Sequence, residues 1–464
     1  MAALTEREKI AHVLRRFGWG VSEAELEYYG KLGLAGTIDT LLNYEKVDPQ
    51  FDLTPNDMGI GKGAPRMRDI QAWWLLKMVV TRRPLEEKMT LFWHNHFATA
   101  SSKVDVAPAM YAQNLLLRKH AVGNFHHMLV DVAKDPAMLY WLDNQFNTKE
   151  KPNENFAREI MELFTLGVGH YSEKDVQEAA RAFTGWTYGR RGRSVDKPRF
   201  GSSFQFLEDV HDPGMKSFLG NKGPFDGEDV CGILAAHPST AIFLAKKLWT
   251  WFAYDNPEPA VVELIAAAFT NSHYSIRSTL RAIMEAPEFY SERCVGRLIK
   301  NPLDLCVATY RQFGIGGSIQ RSIEDARGTE TKIPRAAALA PIFTSTKAMG
   351  MEVLNPPDVS GWKVGAEWIS SATMIERIKF GKILVQGLQR SRLLQSIVLD
   401  LRTPTEYAQR LTALLDVKLP ADKLARVEDA VRAAMPSRIT ALNVDKPTAA
   451  ALGLIFGTPE FQLM

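Results

Sequence analysis

Pro152-Asn153-Glu154-Asn155-Phe156-Ala157-Arg158-Glu159-Ile160-Met161-Glu162-Leu163-Phe164-Thr165-Leu166-Gly167 reads as a helix that is too apolar for the charges it carries. Asn153, after Pro152, suits an N-cap, Glu154 suits the positive end of the helix dipole, and Gly167 with Gly169 supplies a stop. At about 100° per residue, Phe156, Ile160, Leu163 and Phe164 form one apolar face, with Ala157 and Met161 on one flank and Leu166 on the other. Asn155, Glu159 and Glu162 fall on the stripe that Leu166 also occupies, so these side chains are expected to turn toward protein rather than water. A carboxylate so placed needs a cation, a hydrogen-bond donor or a proton.

Outward from this helix the chain keeps a helical rhythm. Short helices are expected between Thr5 and Tyr44, then longer ones over Arg68 to Val80 and from Pro84, at a helix N1 position, toward His96. Val104 to Arg118, Asn124 to Lys134, Pro136 to Leu142, a helix capped by Ser172, Glu228 to Ala236, and a helix opened by His237-Pro238-Ser239 continue it. From about Ala372 the pattern is a simple bundle with Leu411, Leu414, Leu415, Leu424, Val427 and Val431 inward. Arg199 to Gly220 differs, because Phe200, Phe204, Phe206, Val210 and Phe218 suggest a β-hairpin with His211-Asp212-Pro213-Gly214 in its connecting loop. The expected fold is therefore mainly α: a large helical bundle-like body over 1–370 with one small β-hairpin insertion around 199–220, and a C-terminal helical portion, 371–464, packed on it.

The totals agree with a large buried core: 464 residues with 46% hydrophobic content. A net charge of +3 with 23% charged residues gives no general field for nucleic acid. Arg190, Arg191 and Arg193 form the one conspicuous basic knot, read as a solvated loop. Cys231, Cys294 and Cys306 are too few and too unpatterned for a disulfide framework or a zinc knuckle. No run reaches the roughly 18 apolar residues of a transmembrane segment, and Met1 to Lys9 has no signal-peptide apolar region.

Several rare strings occur along the chain: Trp93-His94-Asn95-His96-Phe97, Trp141-Leu142-Asp143-Asn144, Ala180-Arg181-Ala182-Phe183-Thr184-Gly185-Trp186, His211-Asp212-Pro213-Gly214-Met215-Lys216 and Pro356-Pro357-Asp358-Val359-Ser360-Gly361-Trp362. With the 152–167 stretch between them, they make the chain resemble the bacterial family catalogued as domain of unknown function 1800, from Arg15-Arg16-Phe17-Gly18 to about Trp368. The family brings no established activity. Its members are often made with export signals, so the expected location is the cytoplasm for the sequence as given, or outside it if a signal was removed. Its genes commonly neighbour those of another uncharacterised family, domain of unknown function 1501, which makes that product a candidate protein partner.

Read as chemistry, Glu159 and Glu162, three positions apart with Arg158 adjacent, are candidates for a paired acid and base, the arrangement that hydrolyses glycosidic or similar bonds. His211 and Asp212 are candidate catalytic residues delivered by the hairpin. Asn155, Arg158, Trp186, Lys216 and Trp362 are candidate substrate contacts, the tryptophans because exposed rings stack on sugars. His94 and His96 are candidate metal ligands, and a divalent metal the candidate cofactor, provided the helix ends by Trp93 so that an extended backbone turns both rings to one side. The alternatives are a buried ion network that only fixes helix register, and a non-enzymatic scaffold. No phosphate-cradling Gly-rich loop, Gly-X-Ser-X-Gly elbow, nucleophilic Cys setting or dinucleotide fingerprint is present.

Overall fold

Helix grammar is visible along the whole chain. Thr5, Ser22, Ser172, Asp226 and Thr403 each close a capping box at the start of a helix, so that side chains take up the amides that a first turn leaves free. The computed structural model describes all residues except 1–3, 60–63, 191, 192, 195, 196, 199, 200, 328, 330–335, 389–391 and 438. Among the described residues the chain is mainly α, with two small antiparallel sheets set into a helical body. Arg191 of the basic knot lies outside the described residues, as do the side chains of Arg190 and Arg193.

Apolar side chains gather in two clusters. One joins the N-terminal helices, Leu85 to Phe97, Phe156 to Leu166 and the helices from Val230 to Phe289. The other joins Ile70 to Val79, Leu303 to Ile323 and residues 339–368 to the helices after 371, through Phe380, Tyr407, Leu411, Leu452 and Phe456. The helix Pro84–His96 serves both, sending Met89, Phe92 and Trp93 into the first and Leu91 into the second. No described helix is long and apolar enough to cross a membrane.

The β insertion is present, but its strands find other partners than expected. Strand β1 (Trp186–Arg190) pairs with β2 (Arg193–Ser194) on one edge and β3 (Ser203–Phe206) on the other, while β4 (Lys216–Phe218) pairs with β5 (Asn221–Gly223). Phe204 and Phe206 thus oppose Tyr188 and Trp186, not Phe218. The cause lies at Gly185: its amide donates to Asn147 O at 2.9 Å, and its carbonyl accepts Leu207 N at 2.9 Å, which starts β1 as a strand directly after a helix. His211 to Gly214 consequently lies in the link between two sheets rather than at a hairpin tip.

Candidate functional site

The central helix is shorter than its apolar pattern, spanning Glu154–Glu162 behind the N-cap Asn153, whose side chain accepts Asn155 N at 3.1 Å. Thr165 Oγ1 donates to Ile160 O at 2.6 Å and Leu166 N to Met161 O at 2.7 Å, and these bonds draw the chain out of the helix before Gly167, at φ 81°. Leu166 therefore does not share a helical stripe with Glu159 and Glu162. Phe156, Ala157, Ile160 and Met161 are buried, the two glutamates are half-buried, and Asn155 is exposed.

The two carboxyls are not sealed against guanidinium groups. Arg158 is engaged elsewhere, with Glu173 at 2.7 Å and Glu154 at 3.3 Å, and Glu173 raises its proton affinity further. Glu162 accepts a hydrogen bond from the Tyr171 hydroxyl. Glu159 makes no ion pair among the described residues; burial, reinforced by Glu162, lifts its carboxyl above the ordinary value of 4.5, and Arg158 only partly opposes this. Tyr171 escaped the reading of the sequence because it follows Gly169-His170 in a loop, where periodicity gives no direction.

The histidines do not converge. The helix continues through His96, so the extended backbone that the metal reading required is absent and the two rings enter different surroundings. His94 lies between Trp74 and Trp362, with ring centroids at 5.6 and 5.4 Å; burial alone lowers its pKa to about 3, and its Nε2 has no hydrogen-bond partner among the described residues. His96 Nε2 meets Phe164 O at 3.0 Å, and a carbonyl can only accept, so Nε2 carries the proton and Nδ1 accepts from Lys247 Nζ at 3.3 Å. Among the described residues no group of three or more His, Cys, Asp or Glu side chains could hold a metal ion.

The remaining candidates are occupied as structural ties. His211 Nδ1 donates to Thr184 O at 2.9 Å, and Asp212 pairs with Arg181 at 2.7 Å, which holds its carboxyl below the usual range. Lys216 Nζ donates to the carbonyls of Asp212, at 2.6 Å, and Gly214, at 3.0 Å. Asn155 Nδ2 donates to Leu142 O at 3.0 Å. Trp186 is buried between Phe183 and Phe204, and Trp362 is buried against His94, so neither ring offers a face to a sugar. The stacking expected of both is therefore not available in this arrangement; the glycines beside them serve close packing instead.

A common theme follows: the rare strings bind one another. Asn95 Oδ1 accepts Trp362 N at 2.6 Å, tying the His94-Asn95-His96 string to Ser360-Gly361-Trp362. Asn144 Nδ2 donates to Trp186 O at 3.0 Å, and Asn147 Nδ2 to Ala180 O at 2.9 Å. Arg181 and Thr184 then hold Asp212 and His211. Two cavities, of about 640 Å³ beside Tyr28, Arg311 and Gln320 and about 510 Å³ beside Arg15, Lys300 and Asp416, lie elsewhere. None of the candidate residues lines either.

A family model described as protein of unknown function (DUF1800) matches residues 12–463, nearly the whole chain. No curated protein and no solved structure matches it.

Proposed function

The chain belongs to the DUF1800 family, and from its own residues we propose a hydrolase that acts on a carbohydrate-like or other polar substrate, with Glu159 as proton donor and Glu162 as its carboxylate partner. One observation supports this above the rest: Glu159 is half-buried, lacks an ion-pair partner among the described residues, and has its proton affinity raised by burial and by Glu162. A raised proton affinity is the direction of shift that a general acid requires. Side chains three apart on a helix are neighbours on its surface, so the two carboxyls can flank one scissile bond. Tyr171 fixes one of the two oxygens of Glu162 and leaves the other for a substrate or water. His94, His96, His211 and Asp212 have no part in this reading, and neither does a metal.

The test is a panel of oligosaccharides and chromogenic glycosides incubated with the protein and with E159Q and E162Q. Loss of a general acid is expected to cost about 10²–10⁴-fold in rate. Equal turnover by all three proteins would sink the reading.

A second reading, an assembly partner for the neighbouring-gene product, is favoured by one feature. Phe146, Phe206 and Leu207 are large apolar side chains 66%, 46% and 42% exposed, on segments that backbone hydrogen bonds through Gly185 bring together. Co-expression with that product, and loss of a stable complex on F146S with F206S, would support it. A patch substitution that leaves a complex intact would remove it.

A further inference from the structure

The cavity of about 510 Å³ lies between the N-terminal helix Glu6–Phe17, one face of the helix Pro302–Gln312, and the segments around Asp416 and Glu460. Its side-chain charges do not balance once each side-chain carboxylate is assigned, the terminal carboxylate of Met464 being left out of this count. Asp416 is bound by Arg15 through Nε and Nη2, at 2.5 and 2.8 Å. Asp304 is taken by Lys88, which is buried under Trp19. Glu460 pairs with Lys423 at 2.6 Å, and Glu8 meets the exposed Lys418 at 3.4 Å.

Two cations on the wall remain without an ion pair within 4.0 Å among the described residues: Lys300 and Arg297. The Lys300 ammonium is half-buried, donates to Phe461 O at 2.9 Å, and sits 4.3 Å from the centre of the Phe461 ring. A carbonyl and a ring face are weak company for a partly desolvated ammonium. Burial accordingly lowers its pKa to about 8, although Asp416 and Asp304 raise it and Arg15 and Arg377 lower it. Arg297 is exposed at the rim. The cavity falls within the size range of small-molecule sites, about 300–1,000 Å³.

We propose that this cavity binds a small oxyanion, a carboxylate or a phosphate monoester, with Lys300 as the inner contact and Arg297 as the outer one. The inference is independent of the Glu159 and Glu162 reading, since neither glutamate lines this cavity.

Isothermal titration of the full chain with inorganic phosphate and, separately, with succinate tests it. Saturable one-to-one binding of either anion is expected, and the stronger one identifies the source. A charge-assisted hydrogen bond contributes about 1.5–3 kcal/mol, so K300Q should weaken binding by about 10- to 100-fold. R297A, at an exposed position that leaves folding untouched, should weaken it at least about fivefold. No binding of either anion at up to about 10 mM, or binding unchanged in both folded variants, overturns the proposal. Met464 also borders the cavity, so protein with a short C-terminal extension is titrated in parallel. Equal affinity supports an exogenous anion, and binding confined to the extended protein would assign the site to the Met464 carboxylate and overturn the proposal.

Discussion

Nδ1 of His96 accepts a hydrogen bond from the Lys247 ammonium at 3.3 Å, at a place where the only other acceptor for the lysine among the described residues is Leu163 O, also at 3.3 Å. The pair closes the C-terminal end of the central helix: His96 Nε2 holds Phe164 O and Lys247 holds its neighbour. On the helix Pro238–Phe252, Lys246 is exposed and Lys247 turns partly inward.

The cost of that position gives the first prediction. Burial lowers the pKa of Lys247 from the ordinary 10.5 to about 8. Between these values the unfolded chain holds a proton that the folded protein has released, so this residue adds stability as pH rises through the window, and its full burden is present below pH 8. Buried thiols, raised above their ordinary 9.0, act in the opposite sense. The quantity to read is therefore the difference between parent and K247M in urea unfolding. The parent is expected to gain on the variant from pH 8 to pH 9.5, and a constant difference would contradict the assignment.

Glu159 and Glu162 supply a second prediction, independent of any substrate. Since Glu162 helps to raise the proton affinity of Glu159, E162Q should move the Glu159 carboxyl back toward its ordinary 4.5. Side-chain carboxyl carbon-13 titration checks this directly. An unmoved Glu159 would leave burial as the sole cause and separate the two residues chemically.

Much of the fold was legible because helix signals are local. Pro84 at N1 and Ser172 as a cap stand where the sequence put them, and the apolar stripe of Phe156 and Ile160 is buried. The site was less legible, because partners of polar groups are set by distant segments. Asp212 looked catalytic in its string, yet Arg181, 31 residues away, takes both its oxygens. Trp186 beside Gly185 looked exposed, yet Gly227 lets a later helix pack on its ring. The strand pairing failed for the same reason: alternation fixes which residues face one side, not which strand lies alongside.

The interlocking of strings predicts that glycines within them tolerate no side chain. Gly361 has φ 92°, and a Cβ there would lie 2.4 Å from both the backbone oxygen and Oδ1 of Asn95. Relief would require moving the helix Pro84–His96 or breaking the bond from Trp362 N to Asn95. G361A should therefore cost roughly 1–3 kcal/mol or more, as overpacking with backbone strain does. Thermal unfolding of G361A beside G169A, where a Cβ would meet open space at a similarly positive φ of 87°, separates packing from backbone conformation. Equal losses would mean that the Asn95 contact contributes nothing.

Asp135 yields the last prediction. It caps the helix Pro136–Trp141, its Oδ2 accepting Met138 N at 2.9 Å and Gln113 Nε2 at 2.8 Å, and it has no cation partner among the described residues. Full burial pushes its carboxyl up from 3.8 to about 7. Here the folded protein binds the proton more tightly than the unfolded chain, so its contribution to stability falls as pH rises from about 4 to 7 and the burden is complete above 7. Asparagine keeps the acceptor oxygen and removes the charge. D135N should gain on the parent across that window by an amount on the order of 2–4 kcal/mol, at about 1.4 kcal/mol per pKa unit. D135A shares the gain but also loses the cap, about 1 kcal/mol at every pH. Denaturant melts at pH 4.5 and 7.5 check both, and parallel curves for parent and D135N would show that a donor or cation already neutralises Asp135.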